Sequence, residues 1–436
     1  MVPTLRDGNR RRVEVYGARV RGRRRLGTDL GAESTGLGEA ARAAPGHNAA
    51  MAGTPRDSRA PGPWAGLSDT QRAIVLALLR HGRLTRPEIM RLVGISPGSI
   101  TRLTTPLIDS GLLTAHSERL ASTGRPQSPL EVRADAETMI GVNLSGSALT
   151  AVLADLHLNV LATARRPLPD RAPTGVVAAL ADVAQELARS RPDAPAPSCA
   201  GVSLGGATAE GRMVADAVFL GWNRVPLADL VEARLHVPTT IGNDLVAITL
   251  QEAWFGAGRE HDRLALVTVG AGIGFGLVSH GEVMTTPDAE LGLMGKIPVP
   301  DGGRPASSLP ATDCLTNPAI ERAWTERGRT PTPAAGIVEL ARAGEADAVA
   351  ICSSYARRTG RLIAMAAAFT LPDIVVVAGE RAEVAALFED QVMVGVASVR
   401  RPGAAPINMV VREHDRISWA RGAAALALRA RAEGRL

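Results

Sequence analysis

Between Ser96 and Thr105 the chain carries hydroxyls and one guanidinium at helical spacing, with no carboxylate among them. Ser96, Ser99, Thr101, Arg102 and Thr105 are short, and polar or positive. Such side chains can reach base edges and phosphate oxygens without repelling a nucleic-acid backbone. Ile100, Leu103 and Leu107 recur at i, i+3 and i+7 and are expected to face inward, which leaves Thr104 with the outward set.

This face needs elements to position it, and the stretch Thr85 to Leu113 supplies them. Thr85 and Glu88 form a reciprocal capping box for a first helix. Ile89, Leu92 and Val93 make that helix's apolar stripe, and Gly94 offers the left-handed residue that ends it. Ser96 then starts a second helix with Pro97 at its first position. A preceding helix, Asp69 to His81 with Ile74, Val75, Leu78 and Leu79 inward, completes a three-helix unit. After Leu113 come two short extended runs around Gly124-Arg125-Pro126, as a β-wing requires. An ordinary helical hairpin with a solvated face is the alternative, and these two neighbours count against it. The expectation is a winged helix-turn-helix over residues 66–133 that binds double-stranded DNA through Thr85, Arg86, Ser96, Ser99, Thr101, Arg102 and Thr105.

The chain has 436 residues, enough for two or three domains, and its scarce aromatics (3%) predict an aliphatic core. A formal charge of +5 and a pI near 9.8 fit a polyanionic partner. Much of that charge is local, with nine arginines between Arg6 and Arg25. Residues 1–65 are rich in Arg, Gly, Ala and Pro without periodicity and read as a disordered basic tail, or as the product of a start site placed upstream of Met51. Cys199, Cys314 and Cys352 are widely spaced and odd in number, so neither a disulfide framework nor a paired zinc motif is suggested. No apolar run is long enough to span a membrane, and a cytoplasmic, nucleoid-associated protein is expected.

From Glu137 the pattern turns to period two. MIGVNL, ALTAVLADL and NVLATARRPL read as strands, followed by a helix over Gly175 to Arg189 and a strand at CAGVSLGG. An amphipathic segment at Leu227 to Leu235, a strand ending in Gly242-Asn243-Asp244 and a helix from Leu245 to Phe255 come next. A second meander, RLALVTVGAGIGFGLVSHGEV, echoes the first, each with a glycine-containing hairpin turn. That echo implies two related lobes facing a cleft. The later region is helical from Asn317 to Phe369, then DIVVVAG and NMVVRE read as strands around a helix beginning near Ala382. A final helix, Ile417 to Arg431, is expected to pack back on the first lobe.

Taken together the chain resembles the ROK family, which joins sugar kinases and sugar-responsive repressors, over about residues 67 to 430. The matching elements are the Gly124-Arg125-Pro126 turn after the wing, FLGWNRVPL around Trp222, Gly242-Asn243-Asp244, Phe255 to Gly258, Gly270 to Gly276, and LPDIVVVAG. The resemblance implies an α/β fold in which an N-terminal winged helix-turn-helix precedes a two-lobed actin-like, ribonuclease-H-like ATPase domain. Lobe 1 would take residues 137–248 and 411–436, and lobe 2 residues 249–410. It also implies that Arg125 reaches the minor groove.

Several positions depart from the family's kinase pattern. Kinases begin the first lobe with an Asp that helps hold the metal, two Gly and a Thr; here Asn143, Ser145, Gly146 and Ser147 stand there. The second glycine turn keeps Gly272 and Gly274, candidates for nucleotide contact, although a tight hairpin needs glycine in any case. In the sugar site Phe219 replaces an Asn. Gly292-Leu293-Met294-Gly295-Lys296 replaces Gly-Glu-x-Gly-His, so Glu and His are lost. Asp244 corresponds to the kinases' general base and is read as vestigial; a helix-capping role explains it as well. Of the family's zinc cysteines the resemblance leaves only Cys314, too few for a tetrahedral site. Lys296 is the chain's one lysine and, in place of that His, suggests an anionic effector; chance at a degenerate surface is the competing reading.

The reading is a DNA-binding transcription regulator, a repressor, acting as a homodimer or homotetramer. Asn243, Asp244 and Lys296 are the effector-site candidates, and neither zinc nor ATP-Mg is expected. An ATP-dependent sugar kinase carrying a DNA module is the alternative, and a sugar-blind dimerisation scaffold is a third.

Overall fold

The computed structural model describes residues 62–116, 128–301 and 304–436. The expected tail therefore falls outside the described residues except for its last four, and Arg125 falls outside them with its turn. Those last four residues belong to the folded part. Trp64 is only 2% exposed and joins the winged-helix core, so the fold begins before residue 66 because its large apolar ring gains more from burial than from water.

Three helices open the described chain: α1 (Asp69–His81), α2 (Arg86–Val93) and α3 (Pro97–Asp109). The Thr85–Glu88 capping box forms as expected. Thr85 N–H donates to the Glu88 carboxylate at 2.7 Å, and Glu88 N–H donates to the Thr85 hydroxyl at 3.4 Å. Gly94 ends α2 at φ 73°. Strands Leu113–Ala115 and Leu130–Val132 pair antiparallel as the base of the wing, and Leu84 bonds Leu130 in both directions. Ile74, Leu78, Ile89, Ile100, Leu107 and Leu130 form the core of this module.

Two expectations fail locally. Thr104 is fully buried, because its hydroxyl donates to Ile100 C=O at 2.9 Å and so satisfies itself within α3. Leu92 is 46% exposed and lies off the apolar stripe.

The remainder is built on two five-stranded sheets of the same topology. In the first, the order is Thr239–Asn243, Cys199–Leu204, Thr138–Leu144, Ala148–Asp155, Val160–Pro167, with the last three an antiparallel meander and the first two parallel additions. In the second, Glu282–Val283, Ile273–Ser279 and Leu264–Val269 form the meander, and Ile374–Ala378 and Met409–Val411 add in parallel. The echo read from the glycine turns is thus a duplicated sheet.

The C-terminal helix, Arg416–Ala432, lies on the first sheet at very short range. A Cβ on Gly141 would come 2.1 Å from Ala420 C=O, and one on Gly201 1.9 Å from Ala423 C=O, so only glycine admits the helix. A linking helix, Asp244–Phe255, is buried from Leu245 to Trp254, its polar Thr249, Gln251 and Glu252 included, so it is covered on every side.

The helical region beyond Asn317 is three helices, Asn317–Thr325, Ala334–Arg342 and Ala346–Thr370, broken where Gly328 and Gly344 take positive φ. Two features had no counterpart in the periodicity: a small sheet of Ala207–Ala209, Met213–Ala217 and Trp222–Val225, and a hairpin of Pro298–Asp301 with Arg304–Pro310. Their strands are too short, or too poor in alternating apolar residues, to register as strands. Among the described residues no helix is long and apolar enough to cross a membrane.

Candidate nucleic-acid interface and inter-lobe cleft

On α3, Thr101, Arg102 and Thr105 are exposed and Ser99 is half-buried. At the helix start Ser96 is exposed, its hydroxyl 3.1 Å from that of Ser99. Thr85 and Arg86 are half-buried at the start of α2, and Arg91 on the same helix is exposed. Glu88, the nearest acid on α2, is occupied by its cap. The result is a polar, cationic helix surface on a small rigid module, the form that enters a major groove.

The module is fastened to the lobes through α1. Arg259 donates to Leu79 C=O and Arg80 C=O, each at 3.3 Å, so it satisfies carbonyls at the α1 C-terminus that have no intrahelical partner. Burial lowers the Arg259 pKa, and its guanidinium stacks 5.7 Å from the Phe255 ring. Arg80 lies 5.5 Å over Trp254 and pairs with Glu282 at 2.6 Å. Arg72 donates to Arg431 C=O at 3.0 Å on the C-terminal helix, and the His157 ring bonds Val132 C=O at 2.7 Å.

Between the two sheets lies a cleft of about 530 Å³. Asn243 and Asp244 sit at its floor, where the first sheet hands over to the linking helix. Asn243 is the cap of that helix: its carbonyl accepts from Leu245 N–H at 2.9 Å and Val246 N–H at 3.3 Å, while its amide donates to Gly206 C=O at 2.9 Å. The Asp244 carboxyl is pushed up to about 6, first by burial and then by the charge of Glu290, against hydrogen bonds from the Leu245 and Asp244 backbone N–H groups.

Glu290 was not legible as a site residue. It enters from the second lobe and accepts from Thr208 N–H at 2.6 Å and the Thr208 hydroxyl at 3.1 Å, clasping the two lobes across the cleft. Burial raises its pKa too. It stands three positions before Leu293, where the family resemblance leads one to expect a Glu, and that offset is the signal that could have found it.

The first hairpin turn is closed by its own serine: Ser145 hydroxyl donates to Ala148 C=O at 2.8 Å and accepts from Ala148 N–H at 3.1 Å. Asn143 donates to the Ser203 hydroxyl at 3.1 Å. In the second turn, Gly272 has open space where a side chain would stand, whereas a Cβ on Gly274 would lie 2.9 Å from Leu245 and 2.5 Å from the Thr268 hydroxyl. Gly274 therefore serves the packing of the linking helix.

Lys296 is not brought to this cleft. It is exposed at the end of the short turn Leu293–Lys296, in which Met294 and Gly295 are the buried residues. Leu293 lines a separate apolar cavity of about 350 Å³ with Phe275, Met294 and Phe369. Cys199, Cys314 and Cys352 are buried and not joined in disulfides, and among the described residues no three His, Cys, Asp or Glu side chains form a group able to hold a metal.

Comparison with known proteins places this architecture. The model of the ROK family matches residues 139–430, and a winged helix-turn-helix DNA-binding model matches residues 67–114. A transcriptional regulator of Mycobacterium tuberculosis is 26% identical over 335 residues, covering 72% of this chain and 75% of its own. The Escherichia coli DNA-binding transcriptional dual regulator NagC is 26% identical over 327 residues, covering 71% of this chain and 80% of its own. Among solved structures, a ROK family transcriptional regulator homologous to the E. coli MLC protein superposes with a TM-score of 0.70 at 20% identity, covering 84% of this chain and 96% of its own. A Streptomyces griseus ROK glucokinase in complex with glucose and AMPPNP superposes with a TM-score of 0.57 at 23% identity, covering 66% of this chain and 99% of its own. With a winged helix-turn-helix ahead of a duplicated-sheet domain matched over residues 139–430, the chain belongs to the ROK family.

Proposed function

We propose that this protein is a DNA-binding transcription regulator, a repressor, that docks α3 in the major groove of a pseudo-palindromic operator. It acts as a homodimer or homotetramer, so that two copies of α3 meet successive grooves about 34 Å apart. The observation that carries the reading is the exposed Thr101–Arg102–Thr105 face on a helix-turn-helix that matches a DNA-binding model. The relatives named above as regulators support it.

The cleft senses a sugar or related effector and does not phosphorylate it, without zinc or ATP-Mg. Asn143 supports this, because an amide bonded to Ser203 replaces the carboxylate that a metal needs. Ser145 supports it too, because its hydroxyl fills the turn that would otherwise present bare backbone to phosphate. A further relative, from Escherichia coli O6:H1 and 26% identical over 327 residues, is named an N-acetylglucosamine repressor, which favours a sugar as effector. The glucokinase-like fold and Asp244 favour the second reading, a sugar kinase carrying a DNA module, and coupled ADP release over a sugar panel separates the two.

The main test is a genome-wide map of bound sites followed by anisotropy titration of a recovered operator. Arg102→Ala is expected to weaken binding about tenfold to a hundredfold, the range for losing a base-edge or paired phosphate contact. Full affinity at moderate salt would refute the placement of α3 in the groove.

A further inference from the structure

One wall of the cleft carries positive charge that the fold does not use. Strand register sets Asn143 opposite Thr150 and Thr150 opposite Arg165, so three neighbouring strands present these side chains on one face, and all three line the cleft. Arg165 is exposed at the end of this row. Arg416, at the first turn of the C-terminal helix, lines the same cleft and is also exposed.

Neither guanidinium has a hydrogen bond or ion pair with a described residue. That sets them apart in a chain whose arginines are commonly paired: adjacent Arg166 with Glu186, Arg212 with Asp229 and Glu232, Arg329 with Glu345 and Asp347. The carboxylates nearby are committed elsewhere. Asp415 caps the C-terminal helix by accepting from Ile417 N–H at 2.8 Å, Glu380 accepts from Asn317 at 2.8 Å, and Glu290 is held by Thr208. Where a carboxylate and a metal ion would divide the work of holding phosphate, the row offers a neutral amide, a hydroxyl and a free fork of donors.

We propose that this wall is a metal-free anion site in which Arg165 and Arg416 bind the phosphate group of a small-molecule ligand, with the Asp244 and Glu290 end of the cleft left to take the ligand's hydroxyls. Guanidinium groups suit the task because their parallel N–H donors match a phosphate or carboxylate pairwise. A phosphorylated sugar and a nucleotide present the same chemistry, so the ligand panel has to separate them. The inference rests on the effector-sensing reading above and moves the anion contact from Lys296 to the cleft.

The test is calorimetric titration of the full chain in EDTA with inorganic phosphate, a hexose 6-phosphate, the unphosphorylated hexose and ADP. It compares wild type with Arg165→Gln, Arg416→Gln and the double variant; both side chains are exposed, so the fold should persist. The expected result is binding of the hexose phosphate without metal, weakened at least tenfold by each substitution, with the unphosphorylated hexose unaffected by them. The same pattern with ADP instead supports the anion site and assigns its ligand to the nucleotides. Equal affinity in wild type and variants, a requirement for magnesium, or no binding of any phosphate compound at millimolar concentration overturns the proposal. Operator binding measured in parallel separates the cases: wild-type operator affinity with no anion effect removes the anion site alone, whereas loss of operator binding by the wild type removes the regulatory reading.

Discussion

Arg259→Ala should loosen the DNA-binding module from the lobes without touching the DNA-facing surface. The side chain makes two hydrogen bonds to the α1 C-terminus, each 3.3 Å, and stacks on Phe255. Hydrogen bonds from a charged donor contribute about 1.5–3 kcal/mol each when short. At this length they belong at or below the low end, and stacking adds about 0.5–1 kcal/mol. The group is half-buried and burial lowers its pKa, so removing it also recovers desolvation. A net loss of about 2 kcal/mol remains, roughly a thirtyfold rise in the undocked population at tenfold per 1.4 kcal/mol. Hydrogen exchange at Gly82, whose N–H bonds Leu78 C=O at 2.8 Å, should accelerate as the last turn of α1 loses its cap. Acrylamide quenching of Trp254, 2% exposed beneath Arg80, should rise in the same variant. Arg259→Lys, which keeps charge but not the planar fork, should fall between the two. Unchanged exchange and unchanged quenching in Arg259→Ala would show that the module is held by its apolar contacts and that Arg259 adds nothing.

Three further outcomes follow from the geometry. The Asp244 carboxyl, raised from 3.8 to about 6, contributes stability that is fully present below pH 4 and is lost as pH rises through 6. Asp244→Asn should therefore match wild type in urea unfolding at pH 4 and exceed it by up to about 3 kcal/mol at pH 8; a difference independent of pH would exclude burial as the cause. Gly141→Ala must push the C-terminal helix off the first sheet, because its Cβ would lie 2.1 Å from a carbonyl oxygen, and should cost about 1–3 kcal/mol or more in thermal unfolding. Elemental analysis of the purified protein should find less than one zinc per chain, and stoichiometric zinc would overturn the metal-free reading.

The helix-turn-helix was legible because its signals are local. A capping box, a left-handed glycine, an N1 proline and a 3.6-residue stripe each act within a few residues, and α1, α2 and α3 formed where those signals put them. Thr104 escaped because a threonine can turn its hydroxyl onto its own helix, a choice that spacing does not reveal. The meanders and the echo between the lobes were legible for the same reason, and the small sheet around Met213–Ala217 was not, since its strands carry no period to read.

The site divides along the same line. Asn143, Ser145 and Asp244 could be named from sequence because they fall on motif positions, and so could Lys296, which folding leaves outside the cleft. Glu290, Arg165, Arg416 and Arg259 could not. Their roles depend on a clasp between residues 82 apart, on the register of three strands, and on a contact across 179 residues. The sequence by itself determined which helices form and which lobes repeat, because helix signals and periodicity are properties of neighbouring residues. Only the tertiary structure decided which charges meet in the cleft and how the DNA-reading helices are fastened to it, because those depend on distances between segments that the chain keeps far apart.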